Sequence, residues 1–330
     1  MDRSPSEIAV RMRQASIDIG TNTCLLLIAE SDRIGQMKCV ADVHSIARLG
    51  AGVDETKRIQ PEAYERLRNI LTQYQGVLKA EQIDAVAAIG TSALRDATNR
   101  DEIVERIRDE FTLDVEILSG ADESKWSYRG AMCGLRRDDL QGAIGSLDIG
   151  GGSTELAAGS KGEYAAGISM NIGAVRITER YLSSINDASI TSAREFIESE
   201  ITRGFKNPLQ LDKLIAVAGT PTSLAAMKLN LASFDPHKVN GAKLTTDDLA
   251  IIMTELLALK PSEITEKYPA VHSSRADILP AGAMILQEIM KYLGLDEVSV
   301  STCGLRYGIM IREFERRMQS TSDQWLVNPG

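Results

Sequence analysis

The sequence predicts an α/β protein built as two similar lobes with a cleft between them. Three observations lead there. Short apolar runs of strand length alternate with apolar residues at helical spacing. One loop pattern occurs twice, as Ile17-Asp18-Ile19-Gly20-Thr21-Asn22-Thr23 and as Leu147-Asp148-Ile149-Gly150-Gly151-Gly152-Ser153. A second pair follows in the same order, Ala88-Ile89-Gly90-Thr91-Ser92 and Val217-Ala218-Gly219-Thr220-Pro221. From Asp18 to Gly90 is 72 residues and from Asp148 to Gly219 is 71, so the two pairs mark an internal duplication. One lobe starts near Ser16 and the other near Ile144, with the boundary around a helix over Asp122–Gly134.

Taken in order, Ser16–Ile19 and Cys24–Ala29 are apolar runs joined by Gly20-Thr21-Asn22-Thr23, which reads as a hairpin. Pro61 opens a helix whose Ala63, Leu67, Ile70, Leu71, Tyr74 and Leu78 share one face. Ala85–Ile89 is a buried strand. Asn99, with Glu102 three residues on, reads as a capping box for a helix with Ile103, Val104, Ile107 and Phe111 inside. Val115–Leu118 is a strand, and a helix runs on through Trp126 and Ala131. In the second half Ala143–Ile149 is a strand, the glycine triplet a tight turn and Thr154–Ala158 a return strand. Helices fall near Ser192–Arg203 and Asp247–Leu257, and strands at Leu214–Ala218 and Val298–Ser301. Leu305–Met318 is a closing helix whose Arg306, Arg312, Arg316 and Arg317 read as a solvated face, with Arg306 also in reach of the cleft. Ile278–Leu286 is the most apolar stretch, but Pro280 and Gly282 interrupt it.

Composition narrows the function. With 330 residues the chain suits two domains better than one. Its 43% hydrophobic and 25% charged residues exclude disorder, collagen and a coiled coil as the main state. The net charge of −9 argues against a DNA-binding or membrane-surface protein. A polyanionic ligand must therefore be held by local arginines, backbone N–H groups or a metal. The four cysteines form no CxxC pair, so neither a disulfide framework nor a zinc site is expected, and a reducing, cytoplasmic setting is. The first residues have no apolar segment of a signal peptide, and no run approaches the roughly 18 apolar residues of a membrane span. His44, His237 and His272 are scattered and suit core or surface roles.

The duplicated loops carry the chemistry. Each has an aspartate at the end of an apolar strand, then glycine, then hydroxyl residues. Glycine leaves no side chain to obstruct a ligand, and converging N–H and hydroxyl groups suit phosphate oxygens. Asp18 and Asp148 repel phosphate, so their natural work is to hold a hydrated divalent cation that neutralises it. Arg95 reads equally as a bidentate phosphate fork or as a surface partner of Asp96 or Glu102. Asp122 suits a helix N-terminus, which leaves Glu123 free to face the cleft and accept a proton from water. Glu155, on the return strand, could orient that water, help hold metal, or lie exposed. Trp126 reads as a helix-packing residue.

These residues carry a resemblance. Asp18–Thr23, Ala47–Gly50, Gly90–Asn99, Ser119–Glu123, Asp148–Glu155, Asn171–Arg176, Gly219-Thr220, Arg275–Ile278 and Gly304–Arg306 together resemble the exopolyphosphatase/guanosine pentaphosphatase family, over nearly the whole chain. That family lies within the sugar kinase, heat-shock chaperone and actin superfamily. The resemblance implies two actin-like (ribonuclease H-like) lobes, residues 1–125 with 311–330 and residues 126–310, the last segment packing back on the first lobe. It implies hydrolysis of the terminal phosphate of inorganic polyphosphate with Mg²⁺ or another divalent cation, and K⁺ as a further candidate ion. Glu123 then activates water, and Glu155 joins it as an essential acid. Asp18 and Asp148 are the metal positions. Thr21, Asn22, Thr23, Arg95, Gly150, Gly151, Gly152, Ser153 and Thr154 bind phosphate. A homodimer is the expected assembly.

The sequence departs from the family pattern at Asp122-Glu123, where two glutamates are usual, and at Ser124-Lys125, where Ala-Arg is. It matches the short form without a C-terminal His-Asp helical region, which points to short polyphosphate chains. The rival readings are a guanosine pentaphosphate (pppGpp) 5′-phosphohydrolase, an ATP-dependent kinase, which lacks an acceptor-binding motif here, and a non-catalytic polyphosphate or alarmone sensor.

Overall fold

The computed structural model describes residues 12–31, 37–133, 135, 140–205 and 209–326, with side chains from 13 to 317. Two sheets organise the chain. The first contains β1 (Met12–Ile19), β2 (Thr23–Ser31), β3 (Met37–Ile46), β4 (Ala85–Gly90) and β5 (Val115–Ile117), in the order β3-β2-β1-β4-β5. The second contains β6 (Ala143–Ile149), β7 (Thr154–Ser160), β8 (Glu163–Met170), β9 (Lys213–Val217), β10 (Lys243–Thr245) and β11 (Glu297–Val300), in the order β10-β11-β9-β6-β7-β8. Strands β1 and β6 each pair antiparallel with the next strand and parallel with the strand that returns, β4 or β9. Apart from β10, the second sheet repeats the first strand for strand. The duplication read from the loops is therefore a duplication of topology.

Helices cover the sheets. In chain order they are α1 (Val53–Thr56), α2 (Pro61–Ala80), α3 (Ser92–Asp96), α4 (Arg100–Phe111), α5 (Gly120–Cys133), α6 (Ala174–Tyr181) and α7 (Asp187–Gly204). There follow α8 (Gly219–Lys228), α9 (Pro236–Val239), α10 (Thr246–Ala258), α11 (Pro261–Lys267), α12 (Ser273–Ala276), α13 (Leu279–Leu293) and α14 (Leu305–Leu326). One apolar core joins the first sheet to α2 and α4 through Leu26, Tyr64, Leu67, Leu71, Ile103 and Ile107. A second joins the other sheet to α7, α8, α10 and α13. Each sheet buries its own face, so each half carries its own core.

The two halves meet at α5 and α14. Helix α5 lies on β6, β7 and β8, while α14 lies on β1 and β2. The helices touch backbone to backbone. A β-carbon at Gly130 would fall 2.0 Å from the Gly304 carbonyl oxygen, and one at Gly308 would fall 1.8 Å from that of Trp126. Met310 and Phe314 of α14 pack on Leu27 and Ala29 of the first sheet, and residues 327–330 lie outside the described residues.

Several readings are corrected. Asn99 precedes α4 without capping it; its amide instead accepts from Ile59 N–H at 2.9 Å and donates to Ile59 O at 3.0 Å, tying down the chain before α2. Pro280 and Gly282 do not interrupt α13: Pro280 sits in its first turn, where no N–H is needed, and Gly282 lets the helix approach Thr220. Helix α7 starts at Asp187, not Ser192, under a capping box of Asn186 and Ser189. Arg306 and Arg312 are buried rather than solvated, paired with Asp42 and Glu116. Strands β3 and β8 carry no apolar run because each is an edge strand with one open face.

Candidate active site

Each duplicated hairpin delivers an aspartate to the same place in its sheet. Asp18 and Asp148 stand one residue before the ends of β1 and β6. The chain then turns back through the same bond, from Gly20 N–H to Thr23 O at 2.8 Å and from Gly150 N–H to Ser153 O at 3.0 Å. Asp18 lies opposite Leu25, but Asp148 lies opposite Glu155. Opposed residues share a sheet face, so the second hairpin presents two carboxylates where the first presents one. Glu155 is 2% exposed, which sets aside its reading as a surface residue.

The two hairpin loops touch. A β-carbon at Gly152 would fall 2.5 Å from Ser92 Oγ and 3.0 Å from Thr21 Oγ1, and one at Gly151 would fall 2.9 Å from Thr21 Cβ. Glycine is required here for close approach. Thr21, Asn22, Ser153 and Thr154 are buried, and Thr23 is half-buried beside them. The Thr154 hydroxyl donates to Ile172 O at 2.6 Å. The side-chain nitrogen and oxygen of Asn22 are buried with no hydrogen-bond partner among the described residues.

Helix α5 supplies the fourth acid. Ser119 Oγ donates to Asp122 at 2.6 Å and accepts from the Asp122 N–H at 3.1 Å, which closes the helix start. Asp122 is exposed, while Glu123, one residue on, turns inward and is 6% exposed. Arg95 Nη1 donates to Glu123 Oε2 at 2.7 Å and to Leu118 O at 3.0 Å. The expected surface partners of Arg95 are engaged elsewhere. Asp96 accepts from Arg176 at 2.5 Å, and Glu102 faces Arg58.

Burial raises all four acids, and repulsion from neighbouring acids adds to it at Asp18, Glu123 and Glu155. Burial, then Glu123 and Asp148, push Asp18 up to about 8. Burial outweighs the pull of Arg95 and takes Glu123 up to about 7. Glu155 stands well above the usual carboxylate range, through burial and then Glu123 and Asp148. Burial also raises Asp148, against a bond from Ser127 Oγ at 2.5 Å. Ser169 Oγ holds Glu155 at 2.6 Å. Asp18 Oδ1 is buried without a hydrogen-bond partner among the described residues. Clustered acids of raised pKa in one place are the mark of a functional site.

This donor set fits a divalent cation, since it combines surplus buried negative charge with an unpartnered carboxylate oxygen. Among the described residues no three acidic, histidine or cysteine side chains form a complete metal cage. Magnesium does not need one: it takes one or two carboxylates and completes its shell with water and substrate phosphates.

Sequence reasoning missed four residues at the site. Ser127 and Ser169 orient the two acids of the second hairpin. Arg176 donates from Nε to Gly152 O at 2.7 Å and pairs with Asp96 and Asp54, so it clamps the glycine loop to the first half. Arg275 lies against Gly219, where a β-carbon would fall 1.1 Å from its Nη1. Its guanidinium has no hydrogen-bond or ion-pair partner among the described residues. Burial and then Arg306 push it down to about 10, still charged at neutral pH. The signal for both arginines was their place in the quoted stretches Asn171–Arg176 and Arg275–Ile278. Arg306, in contrast, gives its guanidinium to Asp42 at 2.9 and 2.7 Å. Trp126 packs beside Leu118, Leu305 and Ile309. His44 and His272 are exposed; His272 caps α12.

The model of the Ppx/GppA phosphatase family matches residues 27–317. The chain belongs to that family. Exopolyphosphatase 2 of Mycobacterium tuberculosis is 32% identical over 315 residues, covering 91% of this chain and 98% of that protein. The crystal structure of the Aquifex aeolicus member of the Ppx/GppA family superposes with a TM-score of 0.78 at 29% identity, over 93% of this chain and 99% of that one. An exopolyphosphatase from Cytophaga hutchinsonii superposes with a TM-score of 0.82 at 25% identity, over 92% and 98%. The two sheets are thus the actin-like lobes of a Ppx/GppA protein, and the chain is a phosphatase. Among the described residues no helix of this Ppx/GppA protein is long and apolar enough to cross a membrane.

Proposed function

We propose that this Ppx/GppA phosphatase is an exopolyphosphatase, which removes the terminal phosphate of inorganic polyphosphate with water. The observation that carries the reading is Glu123. It is buried, held by Arg95 and raised to about 7, beside three further carboxylates at the contact of two glycine-hydroxyl loops. A base with a pKa near neutrality is matched to proton abstraction from water at that pH.

Each residue then has a role. Asp18 and Asp148 would hold Mg²⁺ or another divalent cation, which when bound neutralises phosphate charge. The N–H groups of Gly151 and Gly152 and the hydroxyls of Thr21, Thr23 and Ser153, with the amide of Asn22, grip phosphoryl oxygens, while the Gly150 N–H and the Thr154 hydroxyl, given to Ser153 O and Ile172 O, hold the loop in shape rather than bind substrate. Nη1 of Arg95 serves Glu123 and Leu118, which leaves its other nitrogens for the terminal phosphoryl group, and the unpaired Arg275 offers a second fixed cation. Glu123 takes a proton as the water oxygen bonds to the terminal phosphorus. The bridging P–O bond breaks, and orthophosphate leaves a chain one unit shorter. Glu155, held by Ser169, orients the water. The lobes divide near residue 125, and Ser92, on the helix that carries Arg95, lies against Gly152 of the second hairpin.

The test is phosphate release with Mg²⁺ from tripolyphosphate, long polyphosphate, pppGpp and ATP. The reading expects polyphosphate to give the highest kcat/KM, with tripolyphosphate ahead of long chains. Turnover of pppGpp without turnover of polyphosphate would overturn it.

A further inference from the structure

Asp54, on α1 of the first lobe, sits between two arginines of the second lobe and a lysine of its own. Arg176 and Arg180, one turn apart on α6, both donate to it, the second also from Nη2 at 2.7 Å. Lys57 lies 3.6 Å away. Two arginines and a lysine around one small anion make the arrangement by which proteins hold a phosphoryl group.

The position of this cluster gives it meaning. A cavity of about 450 Å³ opens between the lobes, lined by Lys57 and Asp96 from one side and Arg176, Arg180, Glu200 and Arg203 from the other. A smaller cavity of about 20 Å³ lies next to it, lined by Asp54, Asp96 and Arg176 together with Thr21, Ser92 and Gly152 of the active-site loops. Asp96 and Arg176 line both. The smaller space has room for a single water and none for a phosphoryl group. Asp54 therefore stands in a neck between a basic chamber and the loops that grip substrate. Other bonds close the same seam: Gly52 N–H donates to Glu179 at 3.1 Å, and Arg48 Nη2 donates to Asp277 at 2.8 Å.

We propose that Asp54 is a resident anion in a phosphate subsite, which an incoming run of condensed phosphate displaces from Arg176 and Arg180. The substrate enters the chamber, its oxygens take over the arginines, and the seam between the lobes is released so that the terminal phosphate reaches the loops. One carboxylate offers two oxygens to two arginines and a lysine. A phosphate run offers several oxygens to each, with about one negative charge per unit, so it outcompetes Asp54 while a lone anion does not. The ligand class rests on the function proposed above; the displacement does not rest on catalysis.

The experiment measures binding of tripolyphosphate, polyphosphate and pppGpp to the full chain without divalent cation, by calorimetry. Asp54→Asn keeps the side-chain shape and removes its charge. It should tighten polyphosphate binding about tenfold, the scale of one charge-assisted hydrogen bond. The double variant Arg180→Gln with Arg203→Gln should weaken it about tenfold. Tightening for polyphosphate alone assigns the chamber to inorganic chains, and tightening for pppGpp as well assigns it to any condensed phosphate. Unchanged or weaker binding by Asp54→Asn overturns the proposal, as does a double variant that binds like the parent. Should no substrate release phosphate, the exopolyphosphatase reading fails, while these binding shifts still decide the displacement.

Discussion

Arg95 Nη1 lies 2.7 Å from Glu123 Oε2, and this bond couples the phosphate-facing arginine to the base. It opposes burial, which alone would carry Glu123 further above about 7. Replacing Arg95 with Gln should therefore raise the Glu123 pKa. The acidic limb of the kcat/KM profile, placed near pH 7 in the parent, should move to higher pH. A pH–rate series on both proteins checks this; an unmoved limb would mean that another group titrates.

Glu123→Gln removes the proton acceptor and keeps the shape. Phosphate release should fall by about two to four orders of magnitude, the usual contribution of a positioned base. The variant should fold, since it removes a buried charge. Steady-state kinetics alongside urea unfolding separates the two effects.

The raised acids make stability depend on pH. Asp18 and Glu123 titrate at about 8 and 7 in the fold, against about 4 in the unfolded chain. Between those values the folded state binds more protons, so metal-free protein should lose stability as pH rises from about 4 to about 8. Added Mg²⁺ should raise the melting temperature more at pH 8 than at pH 6, because the ionised acids bind it. Thermal melts over that range, with and without Mg²⁺, provide the check, and Asp18→Asn should flatten the metal-free curve.

Ala218 has φ 75 and ψ −170 just before α8. That region suits glycine, and an alanine there is strained. Ala218→Gly should stabilise the fold by about 1 kcal/mol, strain relief offset in part by the freer unfolded chain. Denaturant midpoints measure it. A destabilised variant would show that the alanine methyl is needed for packing.

Much of this was legible in the residues. The repeated Asp-Gly-hydroxyl loops announced the duplication, because a strand end that must release its chain at once restricts the residues that follow. The period of Ala63, Leu67 and Tyr74 announced α2 by the same logic of one buried face. Strands β3 and β8 were not legible, because edge strands with an open face need no apolar run. The Asn99 reading failed because its amide found a better partner forty residues away.

Local pattern determined which residues turn, which face inward and that one architecture occurs twice. Tertiary structure alone decided the partners: that Arg95 takes Glu123 rather than Asp96, that Asp148 stands opposite Glu155, that Arg176 clamps the glycine loop and that Arg275 has no partner among the described residues. Those choices depend on which distant groups the packed lobes bring within hydrogen-bond reach. A turn or a helix is written in neighbouring residues, whereas an ion pair between lobes is settled only by where two separate cores place their surfaces.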